Sequence, residues 1–141
     1  MLATLAPFAP FATIVILLVW MGFFMCGSLP LMILKHDTPL DALFIRGLFD
    51  VYYKAVMVTA GAGALAHAAV GRAVIATGMA GIALIAFVSR RSILNRMDRL
   101  RDAMTATDTA RIRQFRLLHV WGMVLNLAQL CAVCIGLVKA L

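Results

Sequence analysis

The sequence predicts an all-α fold: an integral membrane four-helix bundle whose third span continues into a basic amphipathic cytoplasmic helix. Three observations carry that prediction. Residues of the AVILMFWYC set make up 64% of the 141 residues and charged residues only 13%, where a soluble domain is nearer half apolar and a quarter charged. The apolar residues fall in long blocks with short charged segments between them. The charge is one-sided, with eight arginines between Arg90 and Arg116 and only three aspartates among them. A water-soluble globule of this size cannot hide so much apolar surface. The composition also excludes a disordered chain, a collagen and a disulfide scaffold.

The whole chain, 1–141, reads as a single four-span domain. No charge precedes Lys35, so the first span takes residues 10–34; Pro7 and Pro10 precede it, and Pro30 kinks or ends it. It is too long and too uncharged for a cleaved signal peptide and is expected to be retained. The second span is placed at 48–71 and the third at 73–88, joined by a turn at Gly71-Arg72 that makes them antiparallel neighbours. The fourth, 117–138, is the 22 uncharged residues between Arg116 and Lys139, and about 20 apolar residues cross a bilayer core. Beyond the third span, Ile93, Leu94, Met97, Leu100 and Met104 share one helical face. That helix is expected to rest on lipid headgroups or on the segment 35–47. Thr105 to Thr109 break it, and Asp108 is placed to cap the fourth helix. Ala60, Gly61, Gly63, Ala64, Ala68, Gly78 and Gly81 suit close helix approach in lipid. Cys26, Cys131 and Cys134 are read as small buried packing residues.

Charge sets the direction. Four spans put both termini on one side and the segments 35–47 and 89–116 on the other. Those segments hold Lys35, Arg46 and the eight arginines, against Arg72 and Lys139 on the opposite face. The positive-inside rule places the basic side in the cytoplasm and both termini outside, across the inner membrane if the cell is bacterial. The expected partners are the lipid bilayer and a homo-oligomer or larger membrane complex. No nucleic acid is expected, because spans flank the arginine patch.

Polar residues at membrane depth are costly and therefore informative. Asp50 and Lys54 are spaced i, i+4 and can pair. Tyr52 and Tyr53 beside them suit either an interfacial aromatic belt or a functional pocket. His119, Gly122, Asn126 and Gln129 lie within about 80° of one another on the fourth helix, a polar stripe that should point into the bundle. His67 is placed near the outer end and His119 near the cytoplasmic end, so they cannot ligate one haem. His36 and His119 share a side. No metal site is expected.

The segment RQFRLLHVWGMVLNLAQL resembles the terminal motif of the transmembrane protein 205-like family, through Phe115, Arg116, His119 and Asn126. Trp20, Gly22 and Pro30 match that family's first-helix pattern. Leu48, Phe49, Tyr52 and Tyr53 match its Leu-Phe-x-x-Tyr-Tyr segment, and Asn95, Arg101 and Asp102 the segment after its third helix. Gly122-Met123 stand where the family has a small hydroxyl residue. The resemblance implies a four-span bundle and assigns no reaction. More distantly, the chain is similar to anthrone oxygenase and to the HemJ-type protoporphyrinogen oxidase, the latter through Trp20, Leu29, Pro30, His36, Tyr53, Val56 and Met57. The latter's Asn-Glu-x-Pro segment is absent, and Leu118-His119-Val120-Trp121 stand there instead.

Two functions follow. One is a non-catalytic accessory or oligomer-forming membrane subunit. The alternative is an oxidoreductase acting on a hydrophobic ring substrate, with or without haem. In it His119 would be base or axial ligand, Tyr53 and Lys54 would hold a carboxylate or phenol, and Asn126 would orient the substrate. His36, His119 and Arg116 are the candidates for holding a cofactor. Proteolysis or cysteine labelling of intact cells is expected to leave the Arg99 neighbourhood untouched from outside; modification there would reverse the topology.

Overall fold

The fold is known from a computed structural model, which describes residues 8–33, 38–103, 105 and 107–140. Four helices follow in order: α1 (Phe8–Ile33), α2 (Pro39–Ala69), α3 (Ala73–Asp102) and α4 (Thr109–Ala140), with no strand among the described residues. Paired positions give the directions. Thr13 of α1 lies against Gly63 of α2, while Phe24 stacks on Tyr52, so these helices are antiparallel. Arg46 reaches Asp98 and Asp50 reaches Arg90, so α2 and α3 are antiparallel as well. Phe49 packs on Gly122 and Tyr52 bonds Asn126, which makes α2 and α4 parallel across the diagonal. The result is an up-down-up-down bundle with short connections.

The inner faces show why these helices pair. The α1 helix buries Pro10, Ile14, Leu17, Met21, Phe24 and Ser28. Along α4 the buried positions include Phe115, His119, Gly122, Asn126, Gln129 and Val133. Both runs alternate steps of four and three, the stripe of a bundle seam.

The α2 helix starts at Pro39, well before the expected Leu48, so 38–47 is largely helix and not loop. The cause is local. Thr38 and Asp41 form a capping box, with the Asp41 N–H donating to Thr38 Oγ1 at 3.2 Å and the Thr38 N–H to Asp41 Oδ2 at 3.1 Å, and Pro39 fits the first turn. At the other end, Gly71 takes φ +74° and closes the turn into α3. The Arg72 N–H there donates to the His67 carbonyl at 2.9 Å. The α3 helix then runs unbroken for 30 residues, about 45 Å. Its basic half rests on the first turns of α2: Leu94 and Met97 are buried, and Arg46 grips Asp98 through both carboxylate oxygens at 3.0 and 3.1 Å. That hydrogen bond raises the Arg46 pKa above its ordinary value, so the clamp stays charged. Met104 lies outside the described residues. Asp108 caps α4 as expected, its Oδ1 accepting from the Arg111 N–H at 3.1 Å.

Two expectations are corrected. Cys26, Cys131 and Cys134 are exposed free thiols on the outer surface of the bundle, not core residues. Of the small residues, Ala60 and Gly63 sit at a helix contact, while Ala68 is exposed and Gly61, Gly78 and Gly81 face open space. In lipid both the core and the outer surface are apolar, so small side chains and thiols suit either.

Outside, the helices expose large apolar residues, among them Val58, Leu65, Val74, Trp121 and Val138, a surface that water does not tolerate. Three helices are long and apolar enough to cross a membrane: α1, α3 and α4, with mean hydropathies of 2.2, 1.8 and 1.9 in their most apolar stretches. The α2 helix, which carries Asp50, Lys54 and His67 among its apolar residues, is not among them.

Gly71→Ala forces a Cβ into the left-handed region and should lower stability by about 1–2 kcal/mol, read as a shifted midpoint in denaturant unfolding from mixed micelles.

Candidate functional site

Most of the buried polar residues lie toward the arginine-rich end of the bundle, with His67 at the other end. The α2 helix turns one continuous stripe inward: Ala42, Ile45, Phe49, Tyr52, Val56, Ala60, Gly63 and His67 are all buried. Spacings of three and four place both Tyr52 and Tyr53 on its inner half. Both tyrosines are buried, which overturns the reading of an interfacial aromatic belt.

Asn126 is the node of the site. Its Oδ1 accepts from the Tyr52 hydroxyl at 2.5 Å, and its Nδ2 donates to the Met21 carbonyl at 3.1 Å. One carboxamide thereby joins α1, α2 and α4. Phe24 stacks on Tyr52 with centroids 4.1 Å apart and meets Phe49 edge-on at 4.8 Å. The Phe49 ring in turn lies 5.4 Å from the His119 ring and 5.9 Å from Tyr53. Phe49 also lies so close to Gly122 that a Cβ on that glycine would overlap ring atoms Cε1 and Cζ. Gly122 thus serves a close approach, and the predicted stripe of His119, Gly122, Asn126 and Gln129 does face inward.

Two buried polar atoms border Phe49 without hydrogen-bond partners among the described residues: the Tyr53 hydroxyl and His119 Nε2. Such groups are uncommon in a packed interior and suit a ligand, a water or a proton. The structure separates Tyr53 from Lys54. Lys54 points outward, 57% exposed, and its Nζ lies 2.6 Å from Asp50. Arg90 closes on the same carboxylate at 2.7 Å. The expected Asp50–Lys54 pair is therefore present, enlarged by an arginine from α3. Lys54 is taken up by that pair and does not share a pocket with Tyr53. Arg116 is exposed, one turn before His119. His36 lies outside the described residues.

His67 and His119 cannot ligate one haem together. His67 and Phe49 are 18 residues apart on one helix, about 27 Å, and His119 sits beside Phe49, so the two histidines are at opposite ends. On the inner side of His119, Phe49 is wedged against Gly122 and meets the His119 ring edge-on with centroids 5.4 Å apart. Among the described residues, no group of three or more His, Cys, Asp or Glu is arranged to hold a metal ion.

The Tyr52–Asn126 bond and the role of Arg90 were not foreseen from sequence. For Tyr52 a signal exists: its step of three residues from Phe49 and of four to Val56, along the apolar stripe. For Arg90 none does, since its partner lies 40 residues away. No family model, no curated protein and no solved structure matches the chain.

Gly122→Ala should destabilise the bundle by about 1–3 kcal/mol through overpacking, and Phe49→Leu in the same chain should recover part of the loss. A double-mutant cycle in mixed-micelle unfolding checks this; strict additivity would place the two residues out of contact.

Proposed function

We propose that the chain is a four-span integral membrane protein, as its resemblance to the transmembrane protein 205-like family implies, and that it acts as an accessory or oligomer-forming subunit. In this reading α2 is the fourth span, sheltered between α1 and α3. Eighteen residues separate Lys54 from Arg72, and eighteen separate Arg72 from Arg90. Each distance is about 27 Å, close to the hydrocarbon thickness of about 30 Å. The arginine-rich end then faces the cytoplasm and both termini face outside, by the positive-inside rule.

One observation carries the non-catalytic reading. The polar groups that join the helices are engaged with one another: Asn126 bonds both Tyr52 and the Met21 carbonyl, and the half-buried Asp50 is neutralised by Arg90 and Lys54, while Ser28, Tyr53, His67 and His119 keep buried atoms without partners among the described residues. An outer groove of about 430 Å³ between α1, α3 and α4 supports assembly. It is lined by Ile14, Ile75, Gly78, Met79, Val133 and Gly136. Gly78 and Gly136 there face open space, which lets a neighbouring apolar helix approach the backbone closely.

A second reading, an oxidoreductase on a hydrophobic ring substrate, is favoured by the unpartnered Tyr53 hydroxyl and His119 Nε2. His119 would move a proton and Tyr53 would hold a phenol or carboxylate. Purified in mild detergent, the protein is expected to run as a defined homo-oligomer or with a stoichiometric partner, and to lack a Soret band. A chromophore-loaded monomer would overturn the assembly reading. Turnover of an anthrone or a protoporphyrinogen that is lost in His119→Ala would establish the second reading instead.

A further inference from the structure

Where α3 emerges beside α4, a crevice of about 420 Å³ opens between them, lined by Arg96, Arg99, Leu100, Gln114, Leu117 and Trp121. The helices are antiparallel, so Gln114 lies at the connecting-loop end and Trp121 toward the bundle's apolar belt. Chemistry changes along that line: guanidinium and carboxamide groups at one end, apolar residues at the other. Leu117 and Trp121 are 50% and 66% exposed, so the apolar end is open to its surroundings.

The charge in the crevice is not neutralised locally. Asp50 takes Arg90 and Lys54, Asp98 takes Arg46 and Arg101, Asp102 takes Arg101, and Asp108 takes Arg111. Arg96 and Arg99 have no carboxylate partner among the described residues. Arg99 Nε donates to the Asn95 carbonyl of its own helix at 3.2 Å, which steadies the side chain and leaves its other N–H groups available. Two guanidinium groups one turn apart suit a phosphate, which accepts paired N–H bonds. An apolar slot with an exposed tryptophan continuing from them suits acyl chain, with the indole at interface depth.

We propose that this crevice binds an anionic phospholipid, with its phosphate on Arg96 and Arg99, its glycerol against Gln114 and its upper acyl chain along Leu117 and Trp121. Anionic lipid rather than a zwitterion is selected because the crevice is lined by two positive charges and by no carboxylate that could take an ammonium group. The proposal goes beyond the assembly role and depends only on insertion in a bilayer.

The chain has two tryptophans, Trp20 and Trp121, so Trp20→Phe leaves Trp121 as sole emitter. This protein is reconstituted in phosphatidylcholine vesicles doped with dibrominated phosphatidylglycerol or dibrominated phosphatidylcholine, whose bromines quench indole on contact. Phosphatidylglycerol is expected to quench at a several-fold lower mole fraction, and Arg96→Gln/Arg99→Gln should abolish the preference. Equal quenching by the two lipids in the Trp20→Phe protein overturns the proposal without any further variant having to fold. Quenching by neither shows that the helix lies outside the bilayer and overturns the span reading too. Arg91→Gln/Arg113→Gln, outside the crevice, should keep the preference. An equal loss there assigns the effect to diffuse charge and overturns the site. If millimolar glycerol phosphate removes the preference, the crevice belongs to a soluble phosphate ligand and the lipid assignment fails.

Discussion

The Asn126 carboxamide fixes the relative setting of three helices. Its two bonds reach the Tyr52 hydroxyl on α2 and the Met21 carbonyl on α1. In an apolar interior a primary amide cannot turn to water, so losing either partner leaves buried polar atoms unsatisfied. That requirement determines how α1, α2 and α4 are rotated about their axes. With Tyr52 aimed at Asn126, Phe49 falls one turn away onto Gly122, and Lys54 is carried to the outside where Asp50 and Arg90 meet it. The side chains that most resemble a catalytic set are therefore those that hold the helices in register. Among the described residues the Ser28 and Tyr53 hydroxyls and His119 Nε2 stand apart from that network at this level.

Charge organises the other end of the same helices. Asp50 and Asp98 each bridge α2 to the long third helix, and each takes more than one cation. These pairs are partly exposed, and exposed ion pairs contribute little singly. They lie beside the apolar belt, however, where water screens them less than in bulk. They also mark a level. On one side of Asp50 and Arg90 the α1, α3 and α4 helices carry no charged residue until Arg72 and Lys139, and on the other side α3 carries four of the chain's ten arginines.

How far the sequence discloses this arrangement depends on whether the deciding interaction is local. Charge-free blocks locate the helices because length and hydropathy act along the chain. The inward stripe of α4 follows from spacing alone, and so does the Asp50–Lys54 pair. The early start of α2 is legible in Thr38-Pro39-Leu40-Asp41, a capping signal easily passed over inside a charged segment. The positions of the cysteines and of Gly61, Gly78 and Gly81 are not legible, because lipid and core are equally apolar and remove the contrast that sorts residues in water. Partners distant in sequence, such as Arg90 for Asp50 or Asn126 for Tyr52, emerge only when the helices are brought together.

The uninterrupted third helix has a mechanical consequence. From the Gly71 turn to Asp102 it contains no proline, and it is gripped near one end by Arg46 and Asp50 and along its length by the core. Such a rod transmits torque rather than absorbing it. A pull on its arginine-bearing end, which lies beside the first turns of α2, is carried to the far mouth of the bundle, beside buried His67. The two ends of the bundle are joined by a stiff shaft and not by a flexible tether.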